Sequence, residues 1–295
     1  MSEAIDTPPI KTLNANGLEF AYFEMGEGPL VILLHGFPDT AHAFREVMPR
    51  IASAGYRVIA PFLRGYAPSA LAPDGDYSIR ALALDLLALI EHFGQGEQAR
   101  VVGHDWGSVI TQYAANLRPD RFDRIVLCSV PHLRKFFLAP SWAQLKRSHY
   151  IFRFQAPLWA ERRIPENDFA WMVENLFRRW SPTWDFTEAH LAPIKANFSD
   201  PARLKAALAY YRAIPGLLVN PAAQGMAFAK VTVPTRMLHG ALDGAIGPEM
   251  FRGQEKRFAG GFEVFEAQQL GHYIPYEDPA WLAEMSLEHF RAGAA

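Results

Sequence analysis

The sequence predicts an α/β fold: a mostly parallel central sheet flanked by helices, with a helical cap inserted in its second half. Three observations carry this expectation. Short continuous apolar runs, of the kind found in strands buried on both faces, alternate with segments of helical periodicity. That alternation implies βαβ units, whose crossover helices make neighbouring strands parallel. The rhythm stops near residue 131 and strand signals return only at residue 231.

Residues 11–25 read as a hairpin, because Asn16-Gly17 suits a tight turn between two extended segments. Residues 29–35 form the first doubly buried strand, broken by Gly36-Phe37-Pro38. A helical stretch ends at Gly55, and residues 56–61 give a second strand. Ile79, Leu82, Leu86, Ile90 and Phe93 then recur at helical spacing, behind Ser78 as N-cap and before Gly94 as C-terminal signal. Residues 99–104 form a third strand, 107–117 a helix and 122–130 a fourth strand. From 131 to 215 the chain is aromatic and irregular, holding five of the seven tryptophans: Trp142, Trp159, Trp171, Trp180 and Trp184. Strand signals return at 231–240 and 262–265, and a last helix covers 279–291. The expected organisation is a core of residues 1–130 and 216–295 with a cap of residues 131–215. There is no internal repeat and no low-complexity tract.

The chain has 295 residues and a formal net charge of −2, so the overall balance gives no electrostatic reason to expect nucleic acid or a membrane as partner. Its single cysteine, Cys128, excludes an intrachain disulfide and a multi-cysteine metal site. The acidic, proline-containing start lacks the pattern of a secretory signal, and no apolar run reaches the roughly eighteen residues of a membrane span. A cytoplasmic protein is expected. The ten histidines show no pairing with acidic residues at metal-ligand spacing, so neither metal nor cofactor is expected.

Gly103-His104-Asp105-Trp106-Gly107 lies where a strand ends and a helix begins, the setting of a nucleophile elbow with Asp105 at its tip. The turn strains the central residue, and its flanking glycines leave room for the adjoining strand and helix. A carboxylate here attacks a saturated carbon by displacement and gives an alkyl ester that water can cleave. With an ester substrate the product would be a high-energy anhydride, so the residue points to epoxides or alkyl halides. The alternative reading is that Asp105 caps the helix. Ser108 falls inside the helix and is a poorer nucleophile candidate.

Gly271-His272 follows the last strand signal, and an imidazole there is placed to take a proton from the attacking water. Asp243, just past the strand ending at Gly240, is placed to bond the other ring nitrogen. The order nucleophile, acid, histidine suits this fold. The backbone N–H groups of Phe37 and Trp106 are candidates for an oxyanion hole. His35 and His104 are expected to be structural.

Taken together, His35-Gly36-Phe37-Pro38, the elbow with its aspartate, Leu63-Arg64-Gly65-Tyr66 and Gly271-His272 resemble the epoxide hydrolases of the α/β-hydrolase superfamily. They are similar also to its dehalogenases. The resemblance covers most of the chain and implies the α/β-hydrolase fold. It also implies two cap tyrosines that protonate the epoxide oxygen: Tyr150, before Phe154-Gln155-Ala156-Pro157, and Tyr211, before Arg212. Tyr210 should point elsewhere on its helix. Pro38, Trp106 and Phe154 are expected to line the pocket, and the expected partners are a small apolar or aromatic epoxide and water. Two positions depart from the family pattern near Arg64, itself expected to be structural: Phe62 replaces an acidic residue and Ala67 a glycine. Two other hypotheses remain open: haloalkane or haloacid dehalogenation by the same Asp105 and His272, and a non-catalytic small-molecule receptor.

Overall fold

The computed structural model describes residues 8–292, so most of the acidic start read above lies outside the described residues. β1 (Lys11–Ala15) and β2 (Leu18–Met25) form the expected antiparallel hairpin. Asn16 and Gly17 both take positive φ, 48° and 72°, as a two-residue turn between right-twisted strands requires.

Six further strands follow: β3 (Leu30–Leu34), β4 (Arg57–Pro61), β5 (Ala99–His104), β6 (Phe122–Cys128), β7 (Thr235–Gly240) and β8 (Phe262–Ala267). They make one eight-stranded sheet in the order β1-β2-β4-β3-β5-β6-β7-β8, parallel from β4 onwards. β3 and β7 are buried at every position; β3 is apolar throughout, whereas β7 also buries Thr235, Arg236 and His239. The expected strand at 231–240 begins later, at Thr235. Pro234 has no N–H to give a ladder, and Val231 makes only an isolated bridge to Phe258.

α1 (Met48–Ser53), α2 (Ile79–Gly94) and α3 (Trp106–Leu117) connect the first strands. Ser78 caps α2, its Oγ accepting from Ala81 N–H at 3.2 Å. At the other end Gly94 is still helical and Gln95 takes the left-handed position (φ 50°), one residue later than the glycine signal implied. α3 starts at Trp106, one residue before expectation.

Between β6 and β7 the regular structure of the described residues is helical. It runs through α4 (Leu133–Leu138), α5 (Trp142–Arg147), α6 (His149–Gln155), α7 (Trp159–Arg163) and α8 (Glu166–Met172), then α9 (Arg178–Trp180) and α10 (Glu188–Phe198). α11 (Pro201–Arg212), α12 (Ile214–Val219) and α13 (Pro221–Ala227) complete it, so residue 215 falls inside α12. α14 (Ile274–Glu277) and α15 (Pro279–Arg291) close the chain. The buried apolar cluster continues from the sheet into these inserted helices. No helix among the described residues is long and apolar enough to cross a membrane. Because β3, β5, β7 and β8 run parallel, the loops after them gather at one edge, and this brings Phe37, Asp105, Asp243 and His272 together.

Candidate active site

The elbow holds Asp105 at φ 50°, ψ −116°, a conformation that L side chains rarely adopt. Its side chain makes no helix-capping hydrogen bond, which removes the capping alternative. Glycine is required on both sides of the turn. A Cβ on Gly103 would lie 2.4 Å from Gly107 O, and one on Gly107 would lie 2.0 Å from Leu34 O. Gly36 is under the same constraint, since its Cβ would come within 2.3 Å of Asp105 Cβ. Phe37 N–H donates to Asp105 Oδ1 at 2.7 Å. The Trp106 N–H makes no such bond among the described residues, so one of the two expected oxyanion donors already faces the carboxylate. Ser108 is tied to the backbone of Gly103 and Cys128 and has no access to the site.

His272 Nδ1 lies 2.8 Å from Asp243 Oδ2, and the other oxygen of Asp243 accepts from Ala245 and Ile246 N–H at 2.7 and 2.8 Å. Both side chains are buried. His272 Nε2 points to Asp105 Oδ2 at 3.6 Å, too long for a hydrogen bond, and has no other partner. Burial opposes protonation of this ring. The Asp243 carboxylate, with Asp105 beyond it, outweighs burial and raises its pKa to about 10. The ring thus lies between two carboxyl side chains that favour its protonated form.

Tyr150 on α6 and Tyr211 on α11 face Asp105 across a cavity of about 30 Å³, space for one or two waters. Both phenols are buried and their pKa is pushed well up, mainly by desolvation, so both carry their proton. The Tyr211 hydroxyl has no hydrogen-bond partner. Tyr210 points away, donating to Arg64 O at 2.7 Å. The remaining cavity wall is apolar, including Trp106, Val109, Phe136, Ile151 and Ile246. Pro38 and Phe154 do not line it. Phe154 is fully buried and supports the site from behind, its ring 5.2 Å from Tyr211 and 5.5 Å from Phe37.

His35 bonds Gly36 O and accepts from Leu63 N–H, and burial lowers its pKa to about 3. His104 Nε2 lies 2.8 Å from His272 O. Both are structural. Arg64 pairs with buried Asp85 at 2.5 and 2.6 Å, also a structural role. Phe62 is buried with its ring against Phe23 and His42, and Ala67 N–H donates to Asn197 Oδ1.

Sequence reasoning missed two features. Asp39 is fully buried, with Oδ1 bonded by Thr40 N–H and Tyr276 OH and Oδ2 unpartnered. Burial raises its pKa to about 7. Its place one residue after Pro38 was the available signal. The second is the segment Trp180-Ser181, which holds the loops of the base and the acid. Ser181 Oγ accepts from His272 and Tyr273 N–H at 2.8 and 2.9 Å and donates to Glu277 at 2.6 Å. Trp180 O accepts from His272 and Gly244 N–H, and its ring lies 5.0 Å from His272 and 4.9 Å from Tyr150. No cluster of metal-ligating side chains occurs among the described residues.

Comparison with known proteins finds relatives along nearly the whole chain. A family model of the α/β hydrolase fold matches residues 29–279. The chain is 31% identical over 290 residues to the AB hydrolase superfamily protein YfhM of Bacillus subtilis, covering 95% of this chain and 96% of the relative. It is 30% identical over 308 residues to an epoxide hydrolase of Caballeronia sordidicola, covering 94% and 92%. Among solved structures, the epoxide hydrolase VrEH1 of Vigna radiata superposes with a TM-score of 0.83 at 25% identity, covering 98% of this chain and 99% of that one. The chain belongs to the α/β-hydrolase fold family.

Proposed function

We propose that this enzyme hydrolyses an apolar epoxide to a vicinal diol through an alkyl ester on Asp105. One observation carries the reading: a strained carboxylate and two protonated cap phenols face one apolar cavity, and the Tyr211 hydroxyl is buried without a partner. An alkoxide is a poor leaving group unless a proton arrives as the carbon–oxygen bond breaks, and these phenols supply it. The epoxide hydrolases of Caballeronia sordidicola and Vigna radiata, which match almost the whole chain, support the same reaction.

Asp105 attacks an epoxide carbon while Tyr150 and Tyr211 hydrogen-bond the ring oxygen, and one phenol gives up its proton. The ester carries no charge, so one of the two carboxylates that raise the His272 pKa disappears. The ring then releases its proton towards the phenolate and becomes the base, held in orientation by Asp243. Water, deprotonated by His272, attacks the Asp105 carboxyl carbon, and the Phe37 and Trp106 N–H groups stabilise the oxyanion. Collapse expels the diol and returns the carboxylate, and the bookkeeping closes on one water consumed.

Residues 131–215 act in this reading as a cap over a core of residues 1–130 and 216–295. The small cavity means that the cap or its side chains give way to admit substrate. No step needs a metal or cofactor, and we place the protein in the cytoplasm.

Trp106 beside Asp105 favours a second reading, dehalogenation, in which an indole N–H receives the leaving halide. The arms differ in one variant: halide release would survive Tyr211→Phe, and epoxide opening would not. The test of the main reading is intact mass after incubation with an aryl epoxide. His272→Gln should accumulate a covalent adduct and Asp105→Asn none. An adduct-free His272→Gln chain beside an active native enzyme overturns the scheme.

A further inference from the structure

Part of the cavity wall comes from α4, α6 and α12, which supply half-buried Phe136, Phe137 and Ile151 and buried Ile214. The same helices, with α5 beside them, also carry apolar side chains facing water. Trp142 is 72% exposed, Phe152 66% and Val219 79%, and Leu138, Leu145 and Leu218 are exposed as well. Most of the large apolar side chains exposed among the described residues fall in this stretch and α12, so the patch is a local concentration rather than the usual scatter.

The charge there is equally one-sided. Between Pro131 and Ala160 the sequence has Arg134, Lys135, Lys146, Arg147 and Arg153 and no aspartate or glutamate. Arg147 pairs with Glu249, and the other four make no ion pair among the described residues. Lys146 sits 5.8 Å over the Trp142 ring and Arg153 5.5 Å over Trp159, so cations and aromatics share one surface. The net charge of −2 conceals this, because the balancing acids lie elsewhere in the chain.

We propose that the surface of α4, α5, α6 and α12 docks on an anionic phospholipid bilayer, seating three helices of the cavity wall at the lipid boundary. Exposed Trp, Phe and Leu among unpaired Arg and Lys suit the interfacial region, where rings and alkyl chains enter the headgroup layer and cations meet lipid phosphates. This is peripheral binding and needs no spanning helix. A second copy of the chain is disfavoured, because a two-fold contact would set this cationic patch against itself. The surface does not depend on the reaction proposed above, so docking and turnover fail separately.

The test is co-sedimentation of the full chain with sucrose-loaded phosphatidylcholine vesicles, with and without phosphatidylglycerol. Binding is expected only to the anionic vesicles, and added salt should release it. The double variants Trp142→Ser/Phe152→Ser and Lys146→Glu/Arg153→Glu should each lower the bound fraction about tenfold or more. Turnover of a water-soluble epoxide by both variants should stay native, which reports that they fold. Three results overturn the proposal: no sedimentation with either vesicle, binding that survives both double variants, or a dimer in velocity sedimentation that Phe152→Ser dissolves.

Discussion

Ser181→Ala removes a single oxygen from the inserted helical stretch, yet that oxygen holds the backbone on which the proposed base is mounted. In the native chain it accepts from the N–H groups of His272 and Tyr273. His272 keeps a second acceptor in Trp180 O, whereas the buried Tyr273 N–H has no other among the described residues. Leaving that group unpaired costs about 1–3 kcal/mol. Expressed in the transition state for ester hydrolysis, a strain of this size slows that step about 5- to 150-fold. Asp105 and the tyrosines do not touch Ser181, so ester formation should stay within about twofold of native. Rapid quench and intact mass separate the two steps. The variant should form ester at the native rate and then accumulate it. If both steps slow together, or if hydrolysis stays native while the melting temperature drops, Ser181 is only a structural residue and the reasoning is refuted.

Three further outcomes follow from the geometry. Tyr211→Phe should slow epoxide opening about 10²-fold while the slowed variant still hydrolyses any ester it forms, as single-turnover kinetics will show. Asp85→Ala leaves the buried Arg64 guanidinium unpaired and should destabilise the fold by about 3–5 kcal/mol in denaturant titration, with a native-like KM at low temperature. The His272 pKa is raised from 6.5 to about 10, so its stabilising contribution is complete below pH 6.5 and is lost as pH rises through 10. Asp105→Asn removes one of the two carboxylates responsible. It should lower the imidazole pKa seen by NMR and flatten the fall of stability across that alkaline window.

Much of the sheet was legible because strands buried on both faces are mainly apolar: β3 is so throughout, and β5 and β6 carry the apolar runs Val101-Val102 and Ile125–Cys128. The chemistry of the elbow was legible because few residues tolerate such a turn, and its glycines sit where any Cβ would strike backbone. The helices of the insertion were not. α7 and α9 have too few residues to show a period, α10 carries Pro193 in its interior, and α8 includes left-handed Asn167, Asp168 and Phe169. Phe154 was expected to face the pocket and instead packs behind Phe37 and Tyr211, since helical position alone does not fix which neighbour a ring meets. Ser181 gave no signal at all. Its partners lie 91 to 96 residues along the chain, and only the folded insertion brings them together.

The most direct measurement is a single turnover in heavy-oxygen water with enzyme in excess over epoxide, followed by mass analysis of the diol and of the peptide carrying Asp105. The account predicts a diol whose new oxygen is light, taken from the enzyme, and an Asp105 carboxylate that has gained one heavy oxygen. A diol labelled in that first turnover beside an unlabelled Asp105 would mean that water attacks the substrate directly, and the covalent account would fall.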